Sequence, residues 1–184
     1  EALQYVEDGK KSSHEMEKLL EMVGLDKTLS KKYPHQLSGG MKRRVLILMG
    51  IACDPSLLIA DEPTTGLDTI VKNRIVNLLD NVTSERSLLL ITHDINVART
   101  CEKIGVMYAG EIVEKGDMRE VLDNPIHPYT KALMDSLPSR GLKAINGSSP
   151  SLINPPQGCR FHPRCPHVTE KCKVRHPELR GNNR

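Results

Sequence analysis

Apolar residues recur at helical spacing over residues 11–23. Met16, Leu19, Leu20 and Val23 fall on one face, and Lys and Glu cover the other. Gly24 stands where a glycine closes a helix. Tyr33-Pro34-His35 then breaks the chain. A second helix is predicted from Leu37-Ser38-Gly39-Gly40-Met41 to about Cys53, with Ser38 as N-cap and Asp54-Pro55 as its end. Ser56 to Ala60 is a short continuous apolar run, which predicts a strand buried on both faces, as in a parallel sheet. Residues 69–83 predict an amphipathic helix with Ile70, Ile75, Val76, Leu78, Leu79 and Val82 inward. Leu88 to Ile91 predicts a second buried strand ending at Thr92-His93-Asp94, with a helix over about 95–102. The runs 104–108 and 112–114 flank Ala109-Gly110 and read as a hairpin. Strand and helix in alternation predict an α/β fold with parallel strands.

Beyond residue 124 the pattern changes. Asn124-Pro125 and His127-Pro128 precede one predicted helix, roughly 128–137. Residues 139–158 are rich in Gly, Ser, Asn and Pro without periodicity, which predicts a linker or extended arm. A Cys-containing end follows, and no internal repeat is seen.

Composition narrows this picture. At 184 residues the chain predicts one domain, or one with a small appendage. With aromatics at 3% and no Trp, the core is expected to be aliphatic. No apolar run reaches the roughly 18–20 residues of a membrane span. Glu1-Ala2-Leu3-Gln4-Tyr5 shows neither a basic nor an apolar leader pattern, and the missing initiator Met reads as the mark of an internal piece. A net charge of +3 with few aromatics argues against a nucleic-acid partner. Of five Cys, Cys53 and Cys101 are expected to be small buried hydrophobes. Cys159, Cys165 and Cys172 cluster, which fits a thiolate group in a reducing compartment better than a disulfide framework.

Candidate chemistry begins at Asp61-Glu62, two carboxylates closing an apolar strand. Carboxyl ends of strands in open α/β sheets are where ligands bind. An Asp there suits Mg²⁺ of a bound nucleotide, and the adjacent Glu suits polarising an attacking water. His93 closes the second strand. Ser38-Gly39-Gly40 combines a hydroxyl, bare backbone N–H groups and a helix dipole, a phosphate-binding end. Each string alone has an ordinary reading as an acidic loop, a structural His or a simple cap.

Together, Leu37-Ser38-Gly39-Gly40-Met41, Leu57 to Pro63, Thr65-Gly66-Leu67-Asp68 and Ile91-Thr92-His93-Asp94 resemble the signature motif, Walker B, D-loop and switch His of an ABC ATPase. The resemblance implies a parallel-sheet P-loop NTPase fold, here a fragment of a cassette with part of its helical subdomain. It implies ATP and Mg²⁺ as cofactors. Asp61 would hold Mg²⁺ through water, Glu62 would be the general base and His93 would sense the γ-phosphate. Asp68 would couple two cassettes, and Ser38, Gly39, Gly40 and Met41 would form the signature that meets ATP held by the opposite cassette. No G-x-x-x-x-G-K-[ST] occurs in the chain. The chain therefore resembles the back part of a cassette and is expected to be inactive alone.

Asn124-Pro125-Ile126-His127-Pro128-Tyr129-Thr130 resembles the tail of oligopeptide, dipeptide and nickel import ATPases, and Pro155 to Cys172 continues it. The implied organisation is residues 1–54 in the helical subdomain, 55–124 in half of a RecA-like core, and 125–184 as the importer-type extension. The implied role is the energising ATPase of a di- or oligopeptide importer, peripheral on the cytoplasmic face of the membrane. Its partners would be a second cassette, transmembrane permease subunits and, indirectly, a substrate-binding protein. A nickel importer, a soluble ABC ATPase and a metal-sensing regulatory fragment are the alternatives. Cys159, Cys165 and Cys172 leave three readings open: a [4Fe–4S] cluster as in some relatives, zinc completed by His162, His167 or His176, or free thiols.

Overall fold

A computed structural model describes residues 13–179. These fall into two compact units, one through Val97 and one from Ala98. Among the described residues no helix is long and apolar enough to cross a membrane.

The first unit opens with helix α1, Ser13–Met22. Residues 11 and 12 of the predicted helix lie outside the described residues. Gly24, at φ +64°, ends it as expected. Its N–H donates to the Glu21 carbonyl at 2.9 Å, and that of Leu25 to Leu20 at 2.8 Å. This pair of bonds is a Schellman closure. Helix α2 spans Gly39–Ile51, with Ser38 Oγ accepting from the Met41 N–H at 3.3 Å. Strand β1, Leu57–Asp61, is joined through helix α3, Thr69–Val82, to strand β2, Ser87–Ile91. β1 and β2 pair in parallel, with Ile59 opposite Leu89 and Asp61 opposite Ile91. α2 approaches β1 closely at Gly50, where a Cβ would stand 2.9 Å from Leu58 Cδ1. Helix α4, Ile95–Ala98, is four residues where eight were predicted.

The three long helices and one face of the sheet enclose an aliphatic core that includes Val23, Ile47, Ile51, Ile75 and Leu79. Two expectations fail here. Ile70, predicted to point inward, is 67% exposed in the first turn of α3. The strands are also not buried on both faces. Leu58 and Ala60 pack inward, whereas Ile59 is 60% and Leu89 49% exposed. Among the described residues, helices pack on one side of this two-stranded sheet, so alternate apolar residues face outward.

The second unit begins with the predicted hairpin, strands β3, Lys103–Tyr108, and β4, Glu111–Asp117. Ala109 and Gly110 both have positive φ, +49° and +81°, which suits the mirror-image turns that match hairpin twist. Helix α5, Met118–Asp123, was not foreseen. Helix α6, Pro128–Asp135, stops two residues short of its predicted end, and a short helix α7 spans Glu170–Val174. Beyond the 3₁₀ turn Pro138–Arg140, residues 141–158 are irregular. Arg164 ties this arm down, donating to the Asn146 and Ile145 carbonyls at 2.8 and 3.0 Å. The core of this unit is not purely aliphatic. Tyr108, Tyr129 and Phe161 meet with ring centroids 4.5–5.5 Å apart, so the aromatics of this unit stack on one another.

Candidate functional site

At the carboxyl end of β1, Asp61 is exposed and Glu62 turns into the left-handed region at φ +45°. That conformation costs a non-glycine residue about 1–2 kcal/mol and persists only where neighbours enforce it. The neighbours are visible. The Glu62 N–H donates to the Ile91 carbonyl at 2.9 Å, fastening it to the end of β2. Glu62 Oε1 accepts the His93 backbone N–H at 3.0 Å and lies 2.8 Å from His93 Nδ1. Oε2 accepts the Thr65 hydroxyl at 2.6 Å. The Thr65 hydroxyl, and then His93, hold the Glu62 carboxyl below the usual carboxylate range. The parallel register thus brings together the predicted base and the predicted switch His, from positions 31 residues apart.

Ser38, Gly39, Gly40 and Met41 open α2. Ser38 and Gly39 are exposed, and nothing lies within 4 Å of a Cβ built on Gly39. A Cβ on Gly40 would stand 3.2 Å from Val71 Cγ1, so this glycine lets α2 approach α3. Asp68 is the N-cap of α3, its Oδ1 accepting from the Ile70 and Val71 N–H groups at 3.0 Å each. Ser38, Gly40, Met41 and Asp68 line one cavity of about 520 Å³, together with Lys32, Arg44 and Arg74. The exposed N-terminus of α2, capped at the Met41 N–H by Ser38, lies beside three cationic side chains, which fits the phosphate end of a nucleotide. The exposed Asp61 carboxylate fits Mg²⁺ held through water. Glu62 and His93 are not among the residues lining that cavity.

Two contacts lie outside the motif pattern: Thr65 with Glu62, and Lys72 with Asp94. Lys72, a turn into α3, pairs with Asp94 at 2.5 Å, and this pairing first of all lowers the Asp94 carboxyl from its usual value. Neither pair has a periodic signature, because each joins residues that only the chain's turns bring together.

In the second unit, Cys159, Cys165 and Cys172 are free, half-buried and line one cavity of about 440 Å³. Among the described residues, no group of three or more His, Cys, Asp or Glu is arranged to hold a metal ion. A [4Fe–4S] cluster usually takes four Cys. The three thiols do not form that ligand set, and the cluster expectation is not supported. The isolated cysteines also differ from expectation. Cys53 is exposed in the turn after α2, and Cys101 is half-buried.

Residues 2–65 match the ABC transporter family, and residues 113–172 match the C-terminal region of oligopeptide/dipeptide transporters. The dipeptide transport ATP-binding protein DppD of Haemophilus influenzae is 46% identical over 97% of this chain, and that of Escherichia coli is 44% identical over 97%. The chain belongs to the ABC transporter ATP-binding family. It carries the oligopeptide/dipeptide C-terminal region as well. The oligopeptide transport ATP-binding protein AppD of Bacillus subtilis is 43% identical over 88% of the chain. This chain covers 58% of the DppD proteins and 52% of AppD, so it spans about half the length of the curated relatives it matches. Among solved structures, the dimeric post-hydrolysis state of the ATP-binding cassette MJ0796, bound to ADP and Pi, is 34% identical. It has a TM-score of 0.54 over 64% of this chain and 53% of its own. A second dimeric MJ0796 structure, described as a bacterial ABC transporter cassette, gives 0.55. The fold is accordingly that of an ABC-cassette P-loop NTPase fragment.

Proposed function

We propose that this chain belongs to the ATP-hydrolysing, energising subunit of an importer for di- and oligopeptides. The observation that carries the reading is the Glu62 carboxylate. It sits at the end of a parallel strand, ionised, and hydrogen-bonded to His93 at the end of the next strand. Glu62 accepts a proton from the attacking water, and Thr65 and His93 aim its two oxygens. His93, exposed beside it, reports the γ-phosphate. When bound, Mg²⁺ would neutralise charge on the phosphate groups, and the exposed Asp61 carboxylate would hold it. Ser38, Gly39, Gly40 and Met41 present α2's N-terminal N–H groups to the nucleotide of an opposite cassette, and Asp68 faces that partner.

The same reading assigns residues 1–54 to the helical subdomain, 55–124 to the catalytic core and 125–184 to the importer-type extension. It places the protein at the cytoplasmic face of the membrane, with permease subunits and a second cassette as partners and a substrate-binding protein acting indirectly. No phosphate-cradling G-x-x-x-x-G-K-[ST] loop occurs in the 184 residues, so the chain by itself turns no ATP over.

The deciding measurement is ATP hydrolysis by the whole protein carrying Glu62→Gln. Loss of at least about a hundredfold in turnover is expected for removal of a general base, with nucleotide binding retained and peptide uptake by cells lost. Unchanged hydrolysis would contradict the assignment.

A further inference from the structure

Helix α3 and the turn after β2 are joined by a contact to which the proposed hydrolysis gives no role. Lys72 stands one turn into α3, its N–H donating to the carbonyl of the N-cap Asp68 at 2.8 Å. Its Nζ donates to Asp94 Oδ2 at 2.5 Å. The two side chains are 30% and 19% exposed, so salt screens this pair less than it screens a surface ion pair. Asp94 directly follows His93, and its carboxylate has a second task. Its Oδ1 accepts the Asn96 N–H at 2.9 Å, while the Asp94 N–H donates to Thr92 Oγ1 at 3.1 Å.

The pairing of β1 with β2 ends at Asp61 and Ile91. Beyond it, the amides of His93, Asp94 and Asn96 all donate to side-chain oxygens, those of Glu62, Thr92 and Asp94. The place of His93 is therefore set by side chains and not by the sheet. The stretch from β1 into α3 grips this turn at adjacent residues, through Glu62 at His93 and through Lys72 at Asp94. A turn held at one residue can pivot about it. A second anchor beside the first fixes its orientation, as a preorganised site requires.

We propose that Lys72 is a positioning residue: its ion pair with Asp94 locks the turn after β2 against α3 and so holds His93 on the Glu62 carboxylate. Without the Lys72 ammonium, a half-buried carboxylate is left without its cation, and its turn is drawn toward water. The catalytic consequence rests on the reading of Glu62 and His93 given above, whereas the tie itself does not.

The test uses the whole protein and two readouts. Amide hydrogen exchange, mapped by mass spectrometry on peptides that cover residues 92–97, reports the tie without reference to ATP. Lys72→Met is expected to speed exchange there by about tenfold or more, because the protecting bonds run to side chains that the pair orients. Lys72→Arg, which keeps the cation, restores slow exchange. Asp94→Asn keeps an acceptor for the Asn96 N–H without the charge. It should match Lys72→Met, and the double variant should add nothing to either, as for two groups that act as one pair. Unchanged exchange in Lys72→Met, or additive effects in the double variant, overturns the proposal. If the Met variant does not fold, Asp94→Asn decides by the same measure. Steady-state hydrolysis is the second readout. In Lys72→Met, kcat is expected to fall about ten- to a hundredfold with KM for ATP within about twofold of wild type, and to recover in Lys72→Arg. Full kcat in Lys72→Met beside lost turnover in Glu62→Gln overturns the positioning role alone. Unchanged turnover in Glu62→Gln overturns the ATPase reading, and hydrogen exchange then still decides whether Lys72 holds the turn.

Discussion

Glu62 and His127 show how a single side chain is set by neighbours that its own segment does not contain. Glu62 was identified from its place after an apolar run, but Thr65 and His93 are what keep it ionised. Its folded pKa is depressed, so the associated stability is present above the ordinary carboxylate value and lost as pH falls through the depressed one. His127 behaves oppositely. Its Nδ1 accepts the Tyr129 N–H at 3.1 Å and so caps α6. Glu114, 1% exposed on β4, accepts the Ile126 and His127 N–H groups at 2.9 and 3.0 Å. Burial lowers the His127 pKa, and Glu114 opposes that only in part. The unfolded chain therefore binds the proton more readily. Stability is complete above the ordinary value of about 6.5 and falls as pH drops from there through the depressed folded value. The slope contributed is at most about 1.4 kcal/mol per pH unit. Urea unfolding followed by tyrosine fluorescence between pH 7.5 and 5 should show that loss in the wild type. His127→Asn, which keeps a capping acceptor without titrating, should flatten it. An equal slope in both would remove His127 as the cause. The His-Pro-Tyr-Thr string was legible in the sequence, but its dependence on a buried Glu from the hairpin was not.

Elements were legible where local chemistry decides them. The glycine closure of α1, the Ser38 cap of α2 and the Ala109-Gly110 hairpin turn all stand as expected, because caps and turns are settled within a few residues. α5 and α7 were missed, since six- and five-residue helices show too little periodicity to register. Asp68 was expected to act across an interface between cassettes, yet its carboxylate first serves its own helix. Asp68→Ala should destabilise the protein by about 1 kcal/mol in denaturant unfolding, the usual loss for a cap, and Asp68→Asn should restore most of it. If the Asn variant regains stability while hydrolysis by the whole protein stays low, the coupling role stands apart from the cap. If Asp68→Ala leaves stability unchanged, the two bonds to Ile70 and Val71 contribute nothing net.

On the scale of the whole molecule, the most informative departure is the face of the β1–β2 sheet that no described residue covers. Ile59 and its register partner Leu89 point away from the helices, alongside Leu57 and Ile91, at 48% and 44% exposure. Adjacent exposed apolar side chains of this size form a patch rather than scattered surface residues. In the 184-residue chain, replacing Ile59 and Leu89 together by Asn should lower the fluorescence of a bound hydrophobic dye by about half or more. Stability should shift by no more than about 0.5 kcal/mol per site, as for other exposed positions. Unchanged fluorescence would mean that the face is covered in solution. The sequence by itself determined the α/β class, the order of motifs and the family, because these depend on residue type and spacing along the chain. Only the tertiary structure decided that Glu62 meets both Thr65 and His93, that the Cys159 N–H reaches the Cys172 carbonyl, and that among the described residues one face of the β1–β2 sheet is uncovered. An apolar run records that a strand can be buried, but burial and contact depend on which other segments arrive in space, and no local pattern encodes that arrival.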